Sequence, residues 1–448
     1  MPCWAITPKT RARATKSVLL AFTALCLGAF GLVVSPAVAH AQESSQAAAA
    51  TATATATIDT TNDAGEEDAV KPKRRMVKWN EFDGPVSTLR FGYHFMYDFA
   101  SYKQDDNSNQ QVAMKTDNGV RDFRLLAKGR FKTDRRITWT FGYMYDGLDD
   151  EWRFRQTGIQ VAVPEVSGQF FLGRTKEGFS LVKVMTGSFI WGIERSQSLD
   201  AFVPILGDGI KYMGYYPRQR IVLDLGLYAD ALSENEKFST YDNQVVARLA
   251  WQPVLSEETH TVAHVGVMTR HGKADDGFLR EKSKPESYLA PNVLDTGKFA
   301  ADGSDAYGVE AFYRRGSLLY GGEYDWQIDH AKNGEDPVFH GGDAWLVWLI
   351  TGEVRPYNAP GGIFTHVTPN KSVFAGGRGA FEGVLHFSYA DFDDLSFQGG
   401  KFWRVSPMLH WYLSAYQRIE FVYGYGNLDR FGLDGRTQFF QARILSML

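Results

Sequence analysis

The sequence predicts an all-β protein, a transmembrane antiparallel β-barrel of about sixteen strands. Three observations predict this fold class: apolar and polar residues alternate in many segments, such segments recur to the end of the chain, and an export signal precedes them. From Leu89 to Phe99 every second residue is apolar, which is the pattern of a strand with one apolar face. An exported chain of such strands either pairs two sheets into a sandwich or turns its apolar faces to lipid.

Residues 1–41 have the composition of a cleavable signal peptide. Basic residues precede an apolar run at 18–34, and small-residue cleavage patterns follow that run. The alternative is an N-terminal membrane anchor, although the run is short for a membrane-spanning helix. Both cysteines, Cys3 and Cys26, lie in this segment, so the sequence predicts a mature chain without disulfides or thiolate metal sites.

Residues 42–83 are predicted to form a disordered, low-complexity spacer. They include the repeat AAAATATATAT, an acidic stretch and a basic stretch, and none of these can bury a core. The whole chain has a net charge of −4, and removing the four basic and no acidic residues of 1–41 leaves −8. A mildly acidic exported chain is not expected to bind nucleic acid.

The predicted barrel domain covers 84–448. Most of its strand-like segments have the length that a tilted strand needs to cross a bilayer, and they are longer than typical sandwich strands. Long connections mostly alternate with tight turns, as in outer-membrane barrels, and 353–378 is the exception. The predicted strands are 86–99, 120–132, 137–147, 152–163, 167–174, 209–216, 219–229, 242–253, 259–270, 305–315, 317–329, 342–352, 379–391, 400–413, 416–427 and 437–448.

Two motifs carry a family resemblance. The first runs from Gly173 through Lys-Glu-Gly-Phe-Ser-Leu at 176–181 to the pair Glu194 and Arg195. The second, at 349–369, has the pattern Leu-x-Thr-Gly-Glu-x-Arg-x-Tyr followed by Gly-x-Phe and a later proline. Together with the strand after the second motif and the closing FFQARILSML, the chain from 86 to 448 resembles the phosphate-selective porin O and P family.

This resemblance implies a sixteen-stranded barrel in the bacterial outer membrane, in contact with its lipid. It also implies a homotrimer that passes small anionic solutes such as phosphate. The final residue, Leu448, stands where outer-membrane barrels usually end in an aromatic residue, which is a mild departure from the pattern.

A barrel of this size has a wide lumen, so an inward loop must narrow it. The candidate constriction loop is the long connection at about 175–208, which begins in the first motif. Its basic residues are Lys176, Lys183 and Arg195, and acidic residues nearly balance them. In the alternative interpretation, Arg195 and the neighbouring Glu194 brace the loop against the barrel wall.

Basic residues also concentrate on part of the predicted wall. The alternation places Arg124, Lys128 and Arg130 toward the lumen, with Arg153 and Arg155 on a nearby strand. Such a patch raises the local concentration of anions and attracts phosphate or carboxylate groups. These five residues form the predicted anion path. The alternative is that they only keep the strands hydrated and pair with acids on adjoining strands.

No catalytic or metal-binding motif is recognised. His260, His264 and His271 suggest a zinc motif, but on a strand residues four apart are separated by about 13 Å. We therefore predict no enzyme activity, no metal and no cofactor. The expected function is passive diffusion of small hydrophilic solutes through an outer-membrane porin, with a preference for anions such as phosphate. The alternatives are a general, weakly selective porin and a plugged structural or adhesive barrel.

Overall fold

The computed structural model describes residues 79–147, 149–229 and 241–448. The predicted signal peptide and nearly all of the predicted spacer lie outside the described residues. The spacer's last residues, Glu81–Asp83, form a short strand paired with the start of the first long strand. Among the described residues, no helix has the length and apolar character needed to cross a membrane.

Sixteen long antiparallel strands form one closed sheet, in which β4 consists of two pieces. In chain order the strands are β1 (Thr88–Gln104), β2 (Asp117–Arg130), β3 (Ile137–Asp146), β4 (Glu151–Phe154 and Thr157–Val163), β5 (Gly168–Thr175), β6 (Gly207–Tyr216), β7 (Ile221–Ala229), β8 (Tyr241–Ser256), β9 (Thr261–Ala274), β10 (Phe299–Arg315), β11 (Leu318–Ala331), β12 (Val338–Leu349), β13 (Ala380–Asp394), β14 (Phe397–Tyr412), β15 (Gln417–Arg430) and β16 (Leu433–Met447).

Each strand pairs with the next, and the last pairs with the first. The β1–β16 ladder runs from His94 opposite Met447 to Gln104 opposite Thr437. Because the sheet closes, no strand has an unpaired edge. A sheet that spans a bilayer must be closed in this way, since lipid offers no hydrogen-bond partners to the backbone. The predicted fold class is confirmed, and each of the sixteen predicted strands has a counterpart in the closed sheet.

The alternation in the sequence becomes an alternation of environment. In β10, Val309 is 43% exposed on the outer face, whereas its neighbour Glu310 is 2% exposed on the inner face. The same change from residue to residue occurs along β7, β9 and β15. Apolar side chains therefore cover the outer surface of the barrel, as expected of a barrel that faces lipid, and polar side chains enter the lumen.

Connections differ between the two ends of the barrel. One end, the long-loop end, carries 105–116, 176–206 and 275–298. The other, the short-turn end, carries tight connections and the long segment 350–379, which is the exception noted in the sequence. Short elements in these connections are the helices α1 (Asp106–Gln111), α2 (Leu181–Val184) and α3 (Gln197–Phe202), the 3₁₀ turns Pro164–Val166 and Val373–Ala375, and the short strands Phe278–Leu279, Lys282–Ser283, Leu294–Asp295, Tyr357–Asn358 and Ile363–Phe364.

The apolar core lies inside the barrel. Trp191 of the connection 176–206 is fully buried and packs against Trp345 of β12, Phe312 of β10 and Phe364 of the segment 350–379. The ring centroids of Trp191 and Phe312 are 5.5 Å apart. Segments that enter from opposite ends of the barrel therefore meet in one core, which joins them to the wall.

We expect a charge on the outer face to destabilise the barrel. Val267, at the middle of β9, is exposed on this face, so Val267→Arg is expected to place a cation in the hydrocarbon region of a bilayer. The free energy of unfolding should fall by about 2–4 kcal/mol. Urea titration of the protein folded in lipid vesicles measures this change.

The matched control is Glu258→Arg, which places the same side chain in the exposed turn between β8 and β9. It should leave the urea midpoint close to that of the unchanged protein. Equal effects of the two substitutions would contradict the expectation that Val267 faces lipid.

Candidate functional site in the barrel lumen

The inner face of β10–β12 is strongly acidic. Four of its buried carboxylates form what we call the acidic wall: Glu310, Glu323, Asp325 and Asp343. Arg248 of β8 donates to Glu310 at 2.6 Å, and the Nε2 atom of His264 lies 2.7 Å from the same oxygen. Since burying a charge without partners is costly, the remaining carboxylate oxygens need further donors.

The connection 176–206, which we call the lumen loop, supplies such donors. At the start of α2, the backbone N–H of Leu181 donates to Glu310 at 2.7 Å, and that of Val182 donates to Glu323 at 3.0 Å. The Ser180 hydroxyl donates to Glu323 at 2.5 Å. The first N–H groups of a helix have no partner within the helix, so carboxylates satisfy them well. The loop is thereby fixed to the acidic wall.

Two predicted residues of the loop serve its internal structure. The Lys183 ammonium donates to the carbonyls of Leu199 at 3.1 Å and Val203 at 2.5 Å. The Arg195 guanidinium donates to the carbonyls of Val182 at 3.2 Å and Met185 at 2.9 Å. Burial, together with the positive charge of Arg195, lowers the pKa of Lys183 to about 7. Both side chains hold turns of the loop together.

On the opposite side of the loop, Glu194 binds the wall. Its carboxylate accepts hydrogen bonds from Arg121 of β2 at 2.9 Å and from Arg443 of β16 at 2.5 Å. Arg443 also donates to Asp98 of β1 at 2.6 Å. Burial opposes ionisation of Glu194, but the two guanidinium groups outweigh this effect and lower its pKa to about 2.

The segment 350–379 enters from the short-turn end and is anchored by Arg355. This guanidinium donates to Glu382 of β13 at 2.5 Å and to the carbonyl of Phe189 in the lumen loop at 2.9 Å. Tyr412 donates to the same carboxylate at 2.8 Å. Arg355 is the arginine of the second sequence motif, so this motif forms a structural link between the wall and the two lumen segments.

A basic strip of the wall remains beside the lumen loop. A cavity of about 120 Å³ lies between the loop and β1–β4. Five basic residues line it, and we call them the cationic wall. They are Arg90, Arg124, Lys128 and Arg155 of the barrel and Lys176 of the loop. No side chain that lines this cavity is acidic, and the lining also includes Leu448, the last residue of the chain. In a ring of sixteen strands, β2 and β10 are eight apart, so the cationic wall faces the acidic wall across the lumen.

The cations of this cavity differ in how firmly they are held. Arg124 donates to Asp122 at 2.5 Å, and Asp122 also lies 2.9 Å from His94. The Lys176 ammonium donates to the carbonyls of Met185 at 2.5 Å and Lys183 at 3.2 Å. Burial, with the nearby cations Arg195 and Arg155, holds the pKa of Lys176 well below its usual range. An anion in the cavity would favour the charged form of this lysine.

Arg155 is the cation with the fewest constraints. It lies at the break between the two pieces of β4, where its backbone N–H donates to the carbonyl of Gly142 at 2.7 Å. A Cβ atom at Gly142 would lie 3.2 Å from the Cβ of Arg155, so the glycine leaves room for the arginine side chain. Within the described ranges, no carboxylate lies at ion-pair distance from its guanidinium, which leaves this group available to a solute.

The structure therefore divides the predicted anion path. Arg124, Lys128 and Arg155 line the cavity with Lys176. Arg130 is exposed at the end of β2, and its backbone N–H donates to Thr88. Arg153 pairs with Asp149 at 2.7 Å and Glu151 at 2.8 Å, outside the cavity. Lys183 and Arg195 brace the loop instead of lining the cavity.

Some residues of the site lie in the two sequence motifs without any indication of their partners, and others were not singled out at all. The most important are Arg443, Arg355 and the pair formed by Arg121 with Glu194. Arg121 lies beside a register shift between β1 and β2, which turns its side chain inward although simple alternation would place it outside. Arg443 shares the inward parity of its neighbours on β16, but no local feature indicates its partners.

The pKa of Glu194 generates a prediction for acid conditions. Its value in the folded chain, about 2, lies below the ordinary value of 4.5, so its stabilising effect is complete above pH 4.5 and is lost toward pH 2. We expect the lumen loop to loosen over this range. Glu194→Gln should weaken the anchor by about 3 kcal/mol and produce the loosened state at pH 7. Fluctuations of single-channel current in a planar bilayer measure this change.

Glu165→Gln is the matched control, because Glu165 pairs with Arg135 in an exposed turn outside the lumen. At pH 7 its current trace should match that of the unchanged protein, and on acidification both should loosen over the same pH range. A Glu194→Gln trace at pH 7 that matches the unchanged protein would show that this ion pair does not hold the loop.

Comparison with known proteins places this geometry in context. The family model described as "Phosphate-selective porin O and P" matches residues 89–431. A protein from Caulobacter vibrioides, described as uncharacterized, is 26% identical over 264 residues, which cover 56% of this chain. The match spans about half (52%) of that relative's length.

Solved porin structures have a similar fold. The anion-selective porin from Comamonas acidovorans is 12% identical, with a TM-score of 0.51, and the comparison covers 80% of this chain and 99% of that one. The outer membrane channel DcaP of Acinetobacter baumannii is 9% identical, with a TM-score of 0.53, covering 82% of this chain and 99% of that one. These likenesses concern the fold alone. Since the family model covers most of the barrel, including both motifs, the chain belongs to the phosphate-selective porin O and P family of outer-membrane porins.

Proposed function

We propose that this porin lets small anions, such as phosphate, diffuse passively along its cationic wall. One observation carries this proposal: the cavity beside the lumen loop is lined by five basic and no acidic side chains. Cations that converge in one cavity raise the local concentration of anions and exclude small cations. Arg124 and Arg155 offer guanidinium groups, which match the geometry of phosphate and carboxylate oxygens.

Passage also requires that the solute leaves again. Arg124 is already engaged by Asp122, and Lys176 by loop carbonyls, so an anion competes with existing partners at both positions. This competition lowers the affinity of each position for the anion, so the bound anion can leave and pass through the channel. Arg155, without such a partner among the described residues, is the position where an arriving anion gains most.

A second candidate is a channel whose resting state is closed. The observation that favours it is the apolar core inside the lumen, where Trp191, Phe179 and Phe364 are fully buried. A lumen segment held by such packing opposes conduction until the segment moves. This candidate has the same fold and family as the first. The two differ in the current at rest, which a closed channel does not carry.

We also propose a homotrimer in contact with outer-membrane lipid, as the family resemblance implies. The outer face supports contact with lipid or other barrels, since it exposes apolar side chains such as Leu227 and Ile444. Light scattering of the purified protein in detergent should give a protein mass of three chains. A mass of one chain would contradict the trimer.

Single-channel recording under a salt gradient tests the proposed selectivity. We expect a reversal potential that favours anions and a current that added phosphate reduces. A stable current with a reversal potential near zero would leave a general porin. The absence of current at rest, followed by current after loosening of the lumen loop at low pH, would favour the closed channel.

The triple variant Arg124→Gln, Lys128→Gln and Arg155→Gln tests the cationic wall directly. It removes three of the five cations while retaining polar side chains, so we expect the anion-to-cation permeability ratio to fall several-fold. The control is Arg130→Gln with Arg153→Gln, which removes cations outside the cavity and should have a smaller effect. Equal reversal potentials for the triple variant and the unchanged protein would contradict the proposed path.

A further inference from the structure

A group of metal-ligating side chains lies outside the lumen, on the outer face near the long-loop end. Its members are His271 of β9, Asp305 of β10 and His330 of β11. Their possible ligand atoms all lie within 4.8 Å of one another. Nδ1 of His271 is 2.6 Å from one oxygen of Asp305, and Nε2 of His330 is 3.0 Å from the other.

The three side chains converge because three strands bring them to one surface. His271 and Asp305 are direct cross-strand partners, and β11 lies on the other side of β10. Arg270, next to His271, is buried in the lumen, which places His271 on the opposite face. Its side chain is 68% exposed, so an ion in the surrounding water can reach it.

A fourth residue has the position of an outer partner. Asp336, in the connection from β11 to β12, lies 3.0 Å from Nδ1 of His330 and accepts the backbone N–H of Ala331. The ring of His330 is thus oriented with Nδ1 toward Asp336 and Nε2 toward Asp305. Histidines that bind metals commonly donate their other ring N–H to a carboxylate, which sets the tautomer and the ring orientation.

The neighbouring residues locate the cluster at the edge of the membrane. Tyr307, the next residue after Asp305 on the outer face, lies toward the middle of β10 and pairs with Trp326 of β11 on the same face. Aromatic residues of this kind mark the boundary between lipid and water in outer-membrane barrels. The cluster therefore lies on the aqueous side of that boundary, where dissolved ions have access.

We propose that His271, Asp305 and His330 bind a divalent transition-metal ion such as Zn²⁺, with Asp336 orienting His330. Two imidazole nitrogens and one carboxylate oxygen suit zinc, nickel or copper, whereas calcium and magnesium prefer ligands that are all oxygen. Water completes the coordination at this exposed site. The bound ion joins three adjacent strands, so it raises the thermal stability of the barrel.

This site is different from the zinc motif considered in the sequence. That motif places His260 and His264 with His271, but His264 is buried in the lumen against Glu310, and His260 lies in the turn before β9. Of these three histidines, His271 alone belongs to the cluster. Its partners come from neighbouring strands, which spacing along the chain does not show.

Zinc titration of the purified full chain without a histidine tag, in detergent at pH 7.5, tests the proposal. We expect one zinc ion per chain and a higher temperature of unfolding when zinc is present. His271→Ala and His330→Ala should each weaken zinc binding by tenfold or more, and Asp336→Asn by about tenfold. Lower pH should weaken binding, because protons compete for the imidazole nitrogens.

His340→Ala is the matched control. His340 belongs to β12 on the same outer face, but its ring bonds the Tyr324 hydroxyl at 2.7 Å and it is not part of the cluster. This variant should bind zinc like the unchanged protein. The proposal would be overturned if the unchanged protein bound no zinc, or if the His271 and His330 variants bound zinc as tightly as the unchanged protein.

X-ray absorption of the zinc-loaded, unchanged protein gives a test that does not depend on the folding of variants. The expected spectrum shows two imidazole ligands at about 2.0–2.1 Å together with oxygen ligands. A zinc environment without imidazole would overturn the assignment.

Discussion

The contacts of Arg443 connect the features on which the rest of the structure depends. This arginine lies on the closing strand, β16, and binds Asp98 on β1 and Glu194 on the lumen loop. Closing the sheet encloses the polar side chains of every strand in one space, where an unpaired charge is costly. Removing one partner of such a buried pair costs about 3–5 kcal/mol. Closure of the sheet and placement of the loop are therefore coupled through one side chain.

The distribution of charge around the ring explains where the loop lies. Carboxylates on β10–β12 accept the unpaired N–H groups at the start of α2, and Glu194 reaches the guanidinium groups of Arg121 and Arg443. The loop thus carries donors on the side of the acidic wall and a carboxylate toward β2 and β16. Its position follows from this complementarity, since either contact alone would leave buried charges without partners.

Much of the fold could be predicted from the sequence because the signal is local. An alternation with period two predicts both the strands and their faces, and it predicts Arg124, Lys128 and Arg155 on the inner face; in the structure these residues line the cavity. It could not reveal the partners of those side chains. Arg443 and Glu194 are 249 residues apart, and the bond of Arg355 to Phe189 spans 166 residues. The inward orientation of Arg121 could not be predicted for another reason: a register shift breaks the alternation at that point.

The lumen has to satisfy two opposing physical demands, and it does so on different sides. Stable packing of the loop requires apolar burial, which is met where Trp191 contacts Trp345 and Phe312, on the strands of the acidic wall. Passage of a charged solute requires a polar surface that is not fully paired, which is met across the lumen at Arg155. Because the core and the cavity lie on opposite walls, tighter packing of the loop against the acidic wall does not fill the cationic side. A stabilised lumen segment and a solute path can therefore coexist in one barrel.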